Sequence, residues 1–490
     1  VTALLIYGLF TGLQYIITGL YLVTVIFVCF MIIFENRAPV KTLAWVMVVL
    51  LVPVAGIVFY LFFGQNYRKQ KIFSRKSVLD AEQLSNIAAF QERTLPERLS
   101  SSSPAVREKE HLIRLMLSNN KSALTEFNTV EILLDGVETF PSMFEAIAEA
   151  REYINLEFYR LESDILGMKF CDALVEKAKE GVKVRVIFDD VGSWSLSNKT
   201  IKHMWQNGVE IYPFMPVRFP WLTNKINYRN HRKILVVDGK KGYLGGLNIA
   251  DKYLHGHREI GNWRDTHLLV RGEAVAALNN VFMVDWYFVS DILLTDESQE
   301  KKEYQTGNRC WIQIAFSGPD SDWANIMQVY FSAIATAKKY IYLCTPYFSP
   351  DESILNALLT ASLAGVDVRL ILPGKSDSPV AYWNTRSYIE EMLETGIKVY
   401  LYKEGFNHSK YLIVDDVFSS VGSANMDMRS FDLNFEIAAM IYDEDFASRL
   451  LKVFEMDVKR SNLINFDEWK KRKRTERYKE SLARIFGPLY

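Results

Sequence analysis

Two stretches of the chain run without a charged side chain for longer than most buried helices need. Leu13 to Phe34 is broken only by Gln14 and a few Thr, Tyr and Gly, and Leu43 to Phe63 is charge-free throughout. At ~1.5 Å per residue, ~20 residues cross a ~30 Å hydrocarbon core, so each run predicts a transmembrane helix. The connection Glu35-Asn36-Arg37-Ala38-Pro39-Val40-Lys41-Thr42 is short enough only for a hairpin, and Pro53 predicts a kink or re-entrant character in the second span. A signal peptide followed by a buried helix fits poorly, because there is no basic leader, no small-residue cleavage site, and two runs instead of one. Val1 in place of Met reads as a trimmed start. Beyond Gly64, Arg68, Lys69, Lys71, Arg75 and Lys76 outweigh the turn's Arg37 and Lys41, which predicts a cytoplasmic body. The hairpin is expected over residues 1–66 (spans about 13–34 and 43–63). A polar helical linker follows over 67–127, with a loop at Ser100 to Pro104.

From about residue 128 the pattern changes to short Val/Ile-rich runs alternating with amphipathic helices, which predicts βα units around a buried sheet. The pattern occurs twice. Tyr153 to Tyr159, Glu180 to Phe188 and Asn207 to Tyr212 in the first copy match Tyr340 to Tyr347, Ala364 to Leu372 and Thr395 to Tyr400 in the second. Two fused α/β domains sharing an interface are expected, at 128–297 and 308–465, with Thr295 to Glu303 as a charged linker and a basic tail over 466–490.

Each copy then reaches H-x-K-x-x-x-x-D, six intervening residues, and a small pair followed by asparagine. The first set is His231, Lys233, Asp238, Gly245, Gly246 and Asn248; the second is His408, Lys410, Asp415, Gly422, Ser423 and Asn425. With only seven histidines in the chain, two chance matches at one offset are improbable. The pattern resembles the paired HKD motifs of the phospholipase D superfamily. The fold it implies is α/β, two fused phospholipase D-like domains related by pseudo-twofold symmetry behind the N-terminal hairpin.

Each histidine precedes an apolar strand, and period-2 geometry puts His231 with Lys233, and His408 with Lys410, on one face. Packed about a pseudo-twofold axis, two His and two Lys converge on one pocket that neither half completes. One imidazole can attack phosphorus, forming a phosphohistidine, while the other serves the leaving and incoming alcohols as acid and base. Lys233, Lys410, Asn248 and Asn425 would hold the non-bridging oxygens, with a hydroxyl added by Ser423 and none by its counterpart Gly246. A nucleophilic histidine also needs a carboxylate to orient it. Glu436 opens the strand Ile437 to Ile441, and Asp265 opens Thr266 to Val270 in the same relation. Glu259 matches Glu436 better by residue count, but strand position aims the side chain, so Asp265 is preferred. Asp238 and Asp415 end their strands and read chiefly as turn formers, although the superfamily pattern counts them in the motif.

Composition narrows the setting. Hydrophobic residues make up 49% and aromatics 13%, heavy for a soluble enzyme, and the net charge of −1 argues against a nucleic-acid partner. Cys29, Cys171, Cys310 and Cys344 show no metal or C-x-x-C spacing and read as buried thiols of a reducing compartment. His255, His257 and His267 lack a completing ligand, so no metal and no other cofactor is expected.

The HKD motifs alone also admit nucleases, phospholipases D and tyrosyl-DNA hydrolases. The hairpin from Glu35 through Trp45 and Pro53 to Gly64, the stretches Asn227 to Lys233, Gly245 to Ile249 and Asn407 to Lys410, and the ending Gly487-Pro488-Leu489-Tyr490 resemble bacterial cardiolipin synthases. That resemblance implies a multi-pass cell-membrane enzyme whose partners are phosphatidylglycerol and other anionic bilayer lipids, joining two phosphatidylglycerols into cardiolipin with release of glycerol. Superfamily precedent favours His231 as nucleophile and His408 as acid and base. A hydrolytic phospholipase D, another phosphatidyltransferase and an inactive scaffold are the alternatives, and the oligomeric state, a homo-oligomer included, stays open. The apolar loop Phe214 to Leu222 reads either as an interfacial element or as core packing. Trp469 to Arg474 begins a basic helix suited to anionic headgroups.

Overall fold

The computed structural model describes residues 2–34, 39–60, 81–217, 224–294 and 309–487. The turn at 35–38, the basic cluster after Gly64, the loop tip at 218–223, the charged linker at 295–303 and the last three residues lie outside the described residues. The chain divides into two compact units, one built on the N-terminal helices and one holding both sheets.

In the first unit Thr2–Phe34 (α1) is one unbroken helix, and its segment Thr11–Phe34 is, among the described residues, the one helix long and apolar enough to cross a membrane. The second expected span is divided. Pro39–Leu51 (α2) ends, Val52 departs from helical geometry at φ −130°, and Pro53–Phe59 (α3) starts afresh. Proline has no N–H to donate and disfavours helical geometry in the residue before it, which accounts for the break. Both pieces pack on α1 around Val25, Ile32, Val49 and Tyr60.

In the second unit the two copies build two sheets with the same strand order. The first runs, edge to edge, Asn128–Leu134, Thr266–Gly272, Lys241–Gly245, Lys233–Val237, Tyr153–Phe158, Lys183–Asp189 and Glu210–Phe214. The second runs Trp311–Ser317, Glu436–Tyr442, Phe418–Gly422, Tyr411–Val414, Tyr340–Cys344, Asp367–Pro373 and Lys398–Tyr402, with Ser461–Leu463 added at the far edge. Both are mixed sheets: the βα strands pair in parallel, and the motif strand turns the direction. Ile234, Val236, Leu244 and Leu268 of the first sheet share one core with Ile413, Val421, Ile437 and Ala439 of the second. The burial of each large side chain there contributes roughly 1.5–3 kcal/mol, so the halves are joined by apolar area as well as by hydrogen bonds.

The segment expected as a linker is largely built into the second half. Helices Ala81–Ser100, Pro104–Glu108 and Glu110–Asn119 bury Leu95, Leu99, Val106, Leu112, Ile113 and Met116 in the core beneath the second sheet. Their polar composition describes only their outward faces. Cys171, Cys310 and Cys344 are buried free thiols, and burial pushes Cys171 up to about 12; Cys29, on α1, is half-exposed.

Candidate active site

Each motif is fixed at both ends. At the far end, Asp238 and Asp415 adopt left-handed backbone, φ +51° and +56°, a conformation that aspartate tolerates better than most residues. The Asp238 carboxylate accepts the backbone N–H of Arg151 (2.8 Å), Glu152 (2.8 Å) and Tyr153 (2.9 Å). Asp415 accepts those of Lys338 (3.0 Å) and Lys339 (2.8 Å) in the same way, and also the ammonium of Lys109 at 2.8 Å. Both aspartates therefore tie the motif strand to the start of its neighbour, and neither lines the cavity in which the histidines meet.

At the near end, each motif is held by the other half. The His231 N–H donates to Phe435 O at 2.9 Å, and the His408 N–H donates to Arg264 O at 2.7 Å. Those carbonyls immediately precede Glu436 and Asp265, so the same contact delivers each carboxylate to the histidine of the opposite copy. His231 Nδ1 lies 3.0 Å from Glu436 Oε1, and His408 Nδ1 lies 2.7 Å from Asp265 Oδ2. Both carboxylates are fully buried, whereas Glu259 is in an exposed turn. Reading each carboxylate within its own copy misses this exchange, which only the pairing of the halves reveals.

His231 and His408 face one cavity of about 340 Å³, with Asn248 and Asn425 also on its wall. Asn248 is held by its contacts to Arg160 N (3.2 Å) and Tyr253 Oη (2.7 Å), while the buried Asn425 Oδ1 has no hydrogen-bond partner among the described residues. Lys233 and Lys410 do not line the cavity: they lie buried behind the histidines, each donating to the carbonyl of its own motif histidine. Lys410 Nζ also comes within 2.8 Å of His408 Nδ1, an atom already 2.7 Å from Asp265. One ring nitrogen cannot donate to a carboxylate and accept from an ammonium together, and Lys410 has the carbonyl as an alternative, so Nδ1–H belongs to Asp265. The Ser423 hydroxyl does not face the cavity. It donates to Glu436 Oε2 and accepts the Ile437 N–H at 3.0 Å, so its role is to hold the carboxylate. At Gly246 a Cβ would stand 2.0 Å from Asp265 Oδ1, so the first half has no room for a serine there.

Burial decides the protonation of the set. It pushes His231 down to about 4, which leaves that ring neutral, and it lowers His408 well below its usual value, so that ring gains a second proton only with an anion beside it. It lowers Lys233 to about 7 and Lys410 to about 8. The two carboxylates diverge. Burial raises Asp265, whereas for Glu436 the burial effect is outweighed by His231, Lys233 and the Ser423 hydroxyl, which hold it below the usual carboxylate range.

The model of the family described as cardiolipin synthase, PLD-like domain, matches residues 143–286 and 330–458, one block for each half of this site, and a phospholipase D-nuclease N-terminal model matches 19–65. The chain belongs to the cardiolipin synthase family. It is 41% identical over 467 residues to the cardiolipin synthase of Geobacillus sp. (strain WCH70), covering 95% of this chain and 92% of that one. It is 43% identical over 465 residues to cardiolipin synthase 2 of Bacillus anthracis, covering 94% and 88%. Among solved structures, phosphatidylserine synthase from Haemophilus influenzae Rd KW20 superposes with a TM-score of 0.60 over 77% of this chain and 98% of that one, and at 16% identity it shows the fold alone.

Several cavity residues of this family member lie outside the motifs as first read. Tyr159 packs edge-on to the His231 ring at 4.8 Å, and Trp263 lies 5.3 Å from the His408 ring, walls that shield the imidazoles from water. Neither position, just past the strand Tyr153–Phe158 and within the short strand Asn262–Arg264, gives a local signal. Lys252 and Arg429 also line the cavity, and for them a signal existed: each stands four residues past the motif asparagine, 21 past the motif histidine.

Proposed function

We propose that this chain transfers a phosphatidyl group between two phosphatidylglycerol molecules, giving cardiolipin and glycerol. His231 Nε2 attacks phosphorus of the first lipid and a P–N bond forms. His408 takes up a second proton at Nε2 beside the anionic phosphate while Asp265 holds its Nδ1–H, and it gives that Nε2 proton to the departing oxygen as the P–O bond to glycerol breaks. The terminal hydroxyl of the second lipid then gives its proton to His408 and attacks phosphorus, which breaks the P–N bond and frees His231. One phosphodiester replaces another, so the step is reversible and needs no nucleotide. The observation that carries this reading is the pair of imidazoles at one cavity, each held through Nδ1 by a buried carboxylate of the opposite half. The difference between those carboxylates supports the assignment: Glu436, held ionised, suits a ring that must bear positive charge as phosphohistidine, and the more basic Asp265 suits a ring that gains and loses protons. Lys233 and Lys410, when protonated, contribute positive charge behind the reacting phosphate. Purified protein incubated with phosphatidylglycerol alone should yield cardiolipin and glycerol. Phosphatidic acid in their place would make it a hydrolase.

The membrane setting belongs to the same proposal. Both substrates are bilayer lipids, and α1 supplies an anchor. At the C-terminus, helix Arg474–Phe486 turns Tyr478, Leu482 and Ile485 outward, 69%, 44% and 71% exposed, with Arg477, Lys479 and Arg484 in the same helix. An outward apolar stripe among cations fits the headgroup region of an anionic leaflet. The body is read as cytoplasmic and the chain as multi-pass. Impermeant thiol reagent applied to intact cells should then label a cysteine placed at Asn36 and spare one at Ser102; the opposite pattern reverses the orientation.

A further inference from the structure

Joining two phosphatidylglycerols brings two phosphodiesters into one cavity: the one being transferred and the acceptor's own. The histidines, lysines and asparagines of the motifs account for the first. We propose that Lys252 and Arg429 form a second anion site, which holds the phosphodiester of the acceptor lipid.

The two residues correspond in the duplication. Lys252 opens the one-turn helix Lys252–His255 that follows Asn248, and Arg429 lies in the short helix Met428–Asp432 that follows Asn425. Each half therefore contributes one cation at the same place, to the same cavity as both histidines. The other cations of that wall are already matched. Arg160 pairs with Glu162 at 2.9 Å, and Arg229 with Asp189 at 3.2 Å. Deeper in, Lys233 and Lys410 are balanced in number by Asp265 and Glu436. Lys252 and Arg429 have no ion-pair partner among the described residues. Nearby acidic groups act on them only through space, Asp377 and Glu162 on Lys252 and Asp427 on Arg429, while the hydrogen bonds of the wall carboxylates go elsewhere: Asp377 accepts the Tyr347 hydroxyl at 2.6 Å, and Asp427 caps its helix by accepting Ser430 N at 2.7 Å.

Two cations without a direct ion pair in a half-closed cavity lose hydration, a cost that an anionic ligand offsets. Burial and the neighbouring Arg160 already hold the Lys252 ammonium below its usual value. Its position is fixed from below by aromatic rings, with Nζ 4.8 Å from the centre of Trp263 and 5.2 Å from that of Tyr253. Trp263 in turn packs on His408, so a phosphate on Lys252 would lie beside the histidine that takes the acceptor's proton. The acceptor hydroxyl and its own phosphate are one glycerol apart, so a site adjacent to that base meets the geometric need.

This assignment rests on the transfer reading, and two reactions of one preparation separate them. In detergent micelles, cardiolipin formation needs an acceptor that carries a phosphate, whereas exchange of radiolabelled glycerol into phosphatidylglycerol needs only the donor and free glycerol. Lys252→Met and Arg429→Met should each raise KM for phosphatidylglycerol in cardiolipin formation tenfold or more, while glycerol exchange falls less than threefold; Lys252→Arg should recover most of the loss. Equal losses in both reactions, or no loss in either, would overturn the second site while leaving the transfer reading in place. Wild-type protein that neither exchanges glycerol nor makes cardiolipin would overturn both.

Discussion

The two carboxylate stations of the site are built from the same positions and yet are not the same. In the first half, Gly246 faces Asp265, which serves His408; in the second, Ser423 faces Glu436, which serves His231. Glutamate is longer by one methylene, and the serine hydroxyl and Asn434 Nδ2 (3.2 Å) hold its reach. Aspartate draws its oxygen back to within 2.0 Å of where a Cβ at Gly246 would stand. Residue size at one position and carboxylate length at the other thus compensate within each half, and both carboxylates arrive at an Nδ1. What differs is basicity: three donors hold Glu436 ionised, while burial leaves Asp265 easier to protonate. A duplicated site can in this way present one histidine for covalent chemistry and the other for proton transfer without altering either motif.

The strongest test of that division removes the rings. His231→Ala and His408→Ala should each lower transfer by about 10⁴-fold or more, the scale seen when one member of a nucleophile–base set is lost. The two should differ in what accumulates. His408→Ala keeps the nucleophile and should form a phosphatidyl-enzyme that turns over slowly, detectable with lipid labelled in the phosphate, and His231→Ala should form none. Label retained only by His231→Ala would exchange the roles of the halves.

A smaller effect tests the compensation itself. Gly246→Ser should displace Asp265 and lower kcat about 100-fold, as expected when a supporting carboxylate is misplaced, with the fold intact by circular dichroism. Adding Asp265→Glu recreates the arrangement of the second half and should recover at least tenfold. If the double variant is no better than Gly246→Ser, size and length are not coupled in this way.

That coupling also marks how far the sequence could be read. The duplication, and the placing of each motif histidine on one face with its lysine, follow from period-2 alternation and the spacing of repeated residues, because each is set within a short stretch of chain. The exchange of Asp265 and Glu436 between halves is not set locally: it depends on Phe435 and Arg264 offering carbonyls to the partner motif, a contact some 140 to 200 residues away in sequence. Ser423 as a carboxylate holder, and the core role of the helices before residue 120, escaped for the same reason: a hydroxyl or an apolar stripe does not state its partner. The pairing of Lys252 with Arg429 was legible, since it needed only the repeat to be carried four residues beyond asparagine.

The pH dependence sharpens the comparison more gently. Lys233 and Lys410, pushed by burial to about 7 and about 8, are charged below those values and neutral above them. Raising the pH therefore removes the positive charge behind each histidine, first in the first half and then in the second. kcat/KM for phosphatidylglycerol should fall about 50-fold or more between pH 7 and 9, since Lys233 alone goes from half-charged to about one part in a hundred charged over those two units. The loss should lie mostly in KM, because bound phosphate favours the ammonium form. A profile flat to pH 9 would mean that both lysines stay charged without the lipid.

The smallest effect on turnover is expected at the two aspartates, where the halves differ once more. Asp238 accepts the backbone N–H groups of Arg151, Glu152 and Tyr153, and Asp415 accepts, besides backbone N–H groups, the ammonium of Lys109 from the helices that precede the first sheet, a residue 4% exposed. Asp238→Ala leaves buried amide groups without an acceptor, which costs roughly 2 kcal/mol. Asp415→Ala leaves amides and a buried ammonium together, which costs roughly 3–5 kcal/mol, the scale for breaking one side of a buried ion pair. Lys109→Met added to Asp415→Ala should regain part of that loss in denaturant unfolding, and no such rescue is expected with Asp238→Ala. Activity per folded molecule should stay within about threefold of wild type throughout, because neither carboxylate reaches the cavity. A variant with unchanged stability and a hundredfold loss of turnover would place the aspartate in the chemistry; a uniform loss of stability at both positions would show that the Lys109 contact carries no weight.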